Sequence, residues 1–127
     1  MDSPDEVFST DACLAGCGGA CDNQYFDGVF PSFIFEPNLY IKSLEVLTVV
    51  AALKLWGTSW TGLFITVRCD NEAAVTVVNT GRCRNHFMNS GLREICYFAT
   101  LYEFEVCAVQ VPGVSNHFVD LLSRWAS

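Results

Sequence analysis

The sequence predicts an α/β domain with the element order β-β-β-α-β-α-α-β-α. Three observations carry this. The first part of the chain is built of short, glycine-punctuated apolar stretches separated by turn residues, whereas the remainder alternates apolar runs with segments of helical period. The run FITVRCDN, Phe64 to Asn71, ends abruptly on Asp70 and Asn71, and open α/β sheets place their chemistry at such strand ends. Finally, 127 residues with 51% hydrophobic and 17% charged content suit one domain with an ample core, and are too few for two comfortable ones.

Taken in order, Met1 to Asp5 is polar, contains Pro4, and reads as a frayed end. Residues 1–6 are therefore assigned to a flexible N-terminus and 7–125 to the domain. Glu6 to Asp11 reads as a strand. Ala12 to Ala20 carries Gly16, Gly18 and Gly19, which suits a strand that bends or lets another backbone come close. Asp22 and Asn23 supply a turn before Tyr25 to Phe35, a strand broken at Pro31, so the three strands form an antiparallel meander. Pro37 and Asn38 then introduce a helix over about Ile41 to Trp56. Leu44, Leu47, Ala51 and Leu55 make one stripe of it, and Val46, Val49, Val50 and Leu53 make much of the rest apolar, so this helix packs on more than one side. Glu45 lies off the main stripe, free to face a site.

Gly57 to Gly62 is a loop and Leu63 to Asp70 the strand that ends on the acid. Asn71 to Asn79 is a short helix stopped near Gly81, with Asn71 the better candidate for its cap. Gly81 to Asn85, GRCRN, is a basic loop. His86 to Leu101 is a helix with the stripe Leu92, Ile95, Ala99 and Tyr102, its first turn weakened by Gly91. Phe104 to Val111 is apolar on both faces apart from Glu105 and Gln110, which fits a covered strand. After Pro112 and Gly113, Asn116 starts a last helix with Phe118, Leu121, Leu122 and Trp125 at i, i+3, i+4 and i+7. Right-handed crossovers should make the later strands parallel neighbours.

A formal net charge of -7 argues against a protein that grips nucleic acid through a broad basic field. A nucleic-acid enzyme is still compatible with it, because bound divalent cations reverse the sign of a carboxylate site locally. Seven cysteines, an odd number scattered through apolar segments, read as reduced thiols of an intracellular protein, cytoplasmic or nuclear. The start MDSPDEV has no apolar core of a secretory signal, and the uncharged run Leu55 to Val67 is too short and interrupted to span a bilayer, so no membrane association is expected. The apolar surplus suggests surface covered by a neighbouring domain or a second copy.

Four acidic residues sit in apolar settings: Asp11, Glu45, Asp70 and Asp120. Isolated buried charges are costly, and a shared divalent metal is a reason to keep four of them. Each alone has a plainer explanation. Asp120 can pair with Arg124 one helical turn on, Asp70 can cap a helix, Asp11 can face water, and Glu45 can lie on an exposed helix face. Their conjunction in order and element type favours a metal site. Cys13, Cys17 and Cys21 with His86 or His117 do not make a zinc site, since their spacing falls in a strand and glycine bend and not in a CxxC knuckle.

Read together, STDA with Gly16 and Gly18 after it, LEVLTVVAAL, VRCDNEAAV and VPGVSNHFVDLLSRW resemble the ribonuclease H domain of retroelement polyproteins, especially DIRS-like and gypsy-like elements. The resemblance runs from about Val7 to Trp125, and its acids stand in the order Asp, Glu, Asp, Asp at intervals of 34, 25 and 50 residues. It implies a ribonuclease H-like five-stranded mixed sheet, three antiparallel strands and then parallel ones, flanked by helices. The implied activity is divalent-metal-dependent endonucleolytic cleavage of the RNA strand of RNA/DNA hybrids, with two Mg²⁺ ions, or Mn²⁺ in their place. Asp11 would bridge the metals, Glu45 and Asp70 would sit around one, and Asp120 would hold the other. Substrate contacts are assigned to Arg82 and Arg84 on the phosphate backbone, Asn71 on a 2′-hydroxyl, His117 at the mouth of the site, and Asn116; the plainer readings are a solvated loop for the arginines and the first turn of a helix for His117.

The sequence departs from that pattern at Cys17, where Trp is frequent, and at Gln110, where His often precedes VPG. Neither position is a metal ligand in the family that the sequence resembles. A basic extension for gripping the hybrid is missing as well, so an adjacent reverse transcriptase domain or partner chain is expected to supply affinity. The alternative is a domesticated or degenerate ribonuclease H-like fold acting as a non-catalytic protein-binding or scaffolding module. Transposases and integrases end their acidic set with Glu, and DEDD-type exonucleases carry D-x-E on the first strand; neither feature is found here.

Overall fold

A computed structural model describes residues 5–13, 16–29, 41–82 and 86–125, without the side chains of 41, 42, 86, 87 and 125. The strands are β1 (Glu6–Ala12), β2 (Gly16–Cys21), β3 (Gln24–Val29), β4 (Phe64–Cys69) and β5 (Glu105–Gln110). The helices are α1 (Ile41–Trp56), α2 (Glu72–Thr80), α3 (His86–Leu101) and α4 (His117–Trp125), with 3-10 turns at Gly57–Ser59 and Gly113–Asn116. Element order and type are those expected. Of the expected N-terminal frayed end, residues 1–4 lie outside the described residues, as do Pro31 to Phe35 of the long third strand. Asp5 is tied down: its N–H donates to the Phe64 carbonyl and its carboxylate accepts from the Phe64 N–H, both at 2.8 Å.

The five strands form one mixed sheet in the order β3-β2-β1-β4-β5. β1, β2 and β3 pair antiparallel, while β1 with β4 and β4 with β5 pair parallel. Side chains alternate across this sheet. Phe8 on β1, Ile65 and Val67 on β4 and Ala108 on β5 join a core with α1, α2 and α3. The rings of Phe8 and Trp60 stack at 5.2 Å, and Trp56 and Phe104 close the same cluster. The other face, at β1 and β2, carries α4.

Three side-chain expectations need correction. On α1 burial runs round most of the helix, through Leu44, Val46, Val49, Ala52 and Leu53, as packing on more than one side requires, but Leu55 of the expected stripe is 55% exposed. β5 lies at the sheet edge, so it is covered only in part: Ala108 is buried and Val109 is exposed. On α4, Val119 and Ser123 are buried, whereas Phe118 is 54% and Leu121 50% exposed. The reason lies in the surface beneath. Where α4 lies on β2 the strand offers glycines, so the helix backbone at Val119, Leu122 and Ser123 comes down onto the strand and Phe118 and Leu121 are left at the rim. The Trp125 side chain lies outside the described set.

Among the described residues six cysteines are free. No helix there is long and apolar enough to cross a membrane.

Candidate metal centre

Parallel pairing of β1 with β4 puts Ser9 opposite Arg68, and two residues further along the same register Asp11 comes level with Asp70. Glu45 reaches this strand end from α1. One carboxylate oxygen each of Asp11, Glu45 and Asp70 lie within 4.8 Å of one another. Gly113, in the 3-10 turn before α4, closes the approach: a Cβ there would lie 3.8 Å from the Asp70 Oδ2.

Glu45 is 2% exposed, and its Oε1 accepts a hydrogen bond from the Ala12 N–H at 3.0 Å. Its Oε2 is buried with no partner. A buried carboxylate with an unsatisfied oxygen, converging with two other carboxylates, is unfavourable without a cation. Burial pushes the Glu45 carboxyl up to about 9, and the Asp11 charge adds to the effect. Burial likewise pushes Asp11 up to about 7, with the Asp70 charge second, against a lowering by the Ser123 hydroxyl. A cation would reverse both shifts. The donor set, hard carboxylate oxygens only, fits Mg²⁺ or Mn²⁺.

Asp120 stands one step outside the three. Its Oδ1 accepts from the Arg124 Nε at 3.0 Å, an i,i+4 pair, and its side chain is 34% exposed. It is still near enough to Asp11 to contribute to raising that group. What delivers it there is the glycine seat. A Cβ at Gly18 would meet the Leu122 Cβ at 2.5 Å and the Val119 carbonyl at 2.9 Å, and one at Gly16 would meet the Ser123 carbonyl at 2.7 Å. Gly18 pairs with Asp11 on the neighbouring strand, so the close approach falls beside the acid.

The remaining candidates separate. Asn71 caps α2, its Oδ1 accepting from the Ala74 N–H at 2.9 Å. Asn116, expected to bind substrate, is turned inward at 2% exposure and donates to the Thr10 carbonyl at 2.9 Å. In this arrangement it ties the turn before α4 to β1 and presents nothing to solvent. His117 and Arg82 are exposed. Arg84 lies outside the described residues. Sequence reasoning missed Ser123, whose hydroxyl lies 3.1 Å from Asp11 Oδ2; a serine one turn after an acid carries no signal of its own.

A second group, Glu6, Cys21 and Asp22, also brings ligand atoms within 4.8 Å at the far end of β1. There the Cys21 thiol donates to Glu6 at 3.4 Å, and burial pushes it up to about 12, so it stays protonated and is a poor ligand.

A mixed sheet of this order, with carboxylates meeting where β1 and β4 end, is the ribonuclease H fold. No protein-family model and no curated protein matches the sequence. Solved structures do match in fold. Against RNase H1 from the halophilic archaeon Halobacterium salinarum the TM-score is 0.75 at 13% identity, over 95% of this chain and 96% of that one. Against the N-terminal RNase H domain of a Mycobacterium tuberculosis protein it is 0.74 at 15% identity, over 98% and 94%. Against LC11-RNase H1 in complex with an RNA/DNA hybrid it is 0.70 at 14% identity, over 95% of each.

Proposed function

We propose that the protein is a divalent-metal-dependent endonuclease that cleaves the RNA strand of RNA/DNA hybrids. The observation that carries this is the buried Glu45 carboxylate, one oxygen of it orphaned, converging with Asp11 and Asp70. The hybrid bound to one structural relative supports the substrate class. Asp11, Glu45 and Asp70 would hold Mg²⁺ or Mn²⁺, with Asp120 completing a second position. Bound there, the cations would supply charge neutralisation at the scissile phosphate and a water of lowered pKa.

The chain's own residues perform the rest. Glu45 is fixed by the Ala12 N–H and offers its free oxygen inward. Asn71 holds the first turn of α2 beside Asp70 through its Oδ1, leaving its amide group as the donor for a sugar hydroxyl. Arg82 and Arg84 are assigned to phosphates and His117 to the site mouth, while Asn116 acts through the β1 backbone. The net charge of -7 leaves few cations for gripping a polyanion, which supports a partner such as a reverse transcriptase domain. A retroelement origin, an intracellular location and a domain over 7–125 belong to the same reading, with Asp5 and Glu6 joined to the sheet and not to a flexible end.

The test is a labelled RNA/DNA hybrid. Cleavage of the RNA strand in Mg²⁺ or Mn²⁺, abolished by EDTA and by Asp70→Asn, is the expected result. The exposed apolar residues Tyr25, Phe118 and Leu121 favour a second reading, a non-catalytic binding module. Absence of cleavage at high enzyme and Mn²⁺ concentrations would decide for it.

A further inference from the structure

We propose that Ser123 is a positioning residue for Asp11: its hydroxyl holds one oxygen of that carboxylate and so fixes the plane in which Asp11 meets a cation. The inference rests on the metal-site reading above.

Ser123 is fully buried, and its Oγ lies 3.1 Å from Asp11 Oδ2. The residue itself is clamped. Its carbonyl abuts Gly16 and accepts from the Cys13 thiol at 3.4 Å, and its backbone nitrogen lies 3.0 Å from where a Gly18 Cβ would stand. The hydroxyl has one proton and two acceptors in reach, Asp11 Oδ2 and the Asp120 carbonyl at 2.8 Å. An ionised Asp11 wins that proton, because a charged acceptor makes the stronger bond. Full burial demands a small residue at 123 but does not demand an oxygen. Alanine would fill the same space and leave Asp11 Oδ2 without its donor. Outer-shell partners of this kind orient metal ligands, and their loss weakens affinity about 10–100-fold.

The experiment measures Mn²⁺ binding to the whole protein by calorimetry and by electron paramagnetic resonance, with no substrate present. Ser123→Ala should raise the Mn²⁺ dissociation constant about tenfold, the lower end of the outer-shell range, while the unfolding midpoint in EDTA stays close to that of the parent. Ser123→Gly should lose affinity in the same way, and Ser123→Thr, which keeps the hydroxyl, should retain it. Unchanged affinity in Ser123→Ala overturns the inference. So does an equal loss in the Ala and Thr variants, which marks a packing effect. A parent protein that binds no Mn²⁺ overturns the metal site itself, and the inference with it.

Discussion

Gly18 and Leu122 approach so closely that a Cβ on the glycine would lie 2.5 Å from the Leu122 Cβ. Because the obstructing atoms belong to a helix backbone and its first side-chain carbon, neither can swing away. Gly18→Ala must therefore lift α4 from β2, and with it Asp120 and Ser123 from Asp11. Overpacking of this kind costs about 1–3 kcal/mol. Denaturant unfolding in EDTA should show that loss. A Mn²⁺ titration should show a weakening that an equally destabilising change remote from the site, Val77→Ala, does not produce.

Glu45 and Asp11 set the pH dependence of the metal-free protein. Folding raises Glu45 from 4.5 to about 9 and Asp11 from 3.8 to about 7. Between those limits the folded state binds more protons than the unfolded one, so this stability is present at low pH and is lost as pH rises through the folded values. Urea unfolding in EDTA should accordingly give a lower midpoint at about pH 9 than at about pH 6. Glu45→Gln should flatten the slope and raise the midpoint at alkaline pH. Saturating Mg²⁺ should flatten it in the parent as well.

The four acids are expected to contribute unequally to turnover. Asp11→Asn, Glu45→Gln and Asp70→Asn each remove a member of the converging set and should lower cleavage by more than about a hundredfold, beyond the loss expected for an outer-shell partner. Asp120→Asn should cost less, because that carboxylate is partly solvated and shared with Arg124. Initial rates on an RNA/DNA hybrid across a Mg²⁺ series check the ranking. An Asp120→Asn defect as deep as that of Asp70→Asn would contradict it.

Asn71→Ala removes the α2 cap and should cost about 1 kcal/mol in unfolding free energy. The Asn71→Asp variant keeps an acceptor for the Ala74 N–H and should recover that stability. It adds charge beside Asp70 and cannot donate from an amide. A variant with recovered stability but depressed cleavage would therefore separate the capping role from the substrate-facing one.

Much of this architecture is legible in the sequence, because local signals and tertiary packing agree. Helices α1 and α3 have the expected bounds, and the Asn71 cap and Gly81 stop bracket α2 as their chemistry requires. Convergence of Asp11, Glu45 and Asp70 follows from their element types and order. What could not be read depends on which face meets which. The apolar periodicity of α4 points to Phe118 and Leu121 as its inner face, yet the helix sits backbone-down on the glycines of β2 with Val119 and Ser123 buried. Gly91 looks like a flaw in α3, but a Cβ there would lie 2.9 Å from the Val46 Cγ1, so it is a contact requirement set by α1. No single-sequence pattern reports a neighbour forty-five positions away.

Asn79 of α2 donates its Nδ2 to the Ala108 carbonyl at 2.8 Å and accepts from the Ala108 N–H at 2.7 Å, so both backbone groups at the middle of edge strand β5 are already taken. An incoming strand seeking to extend the sheet there would meet a side chain mimicking the pairing it needs. A chain this apolar is thereby guarded against edge-on self-assembly along β5, and one asparagine gives the sheet a defined end where a further strand would otherwise fit.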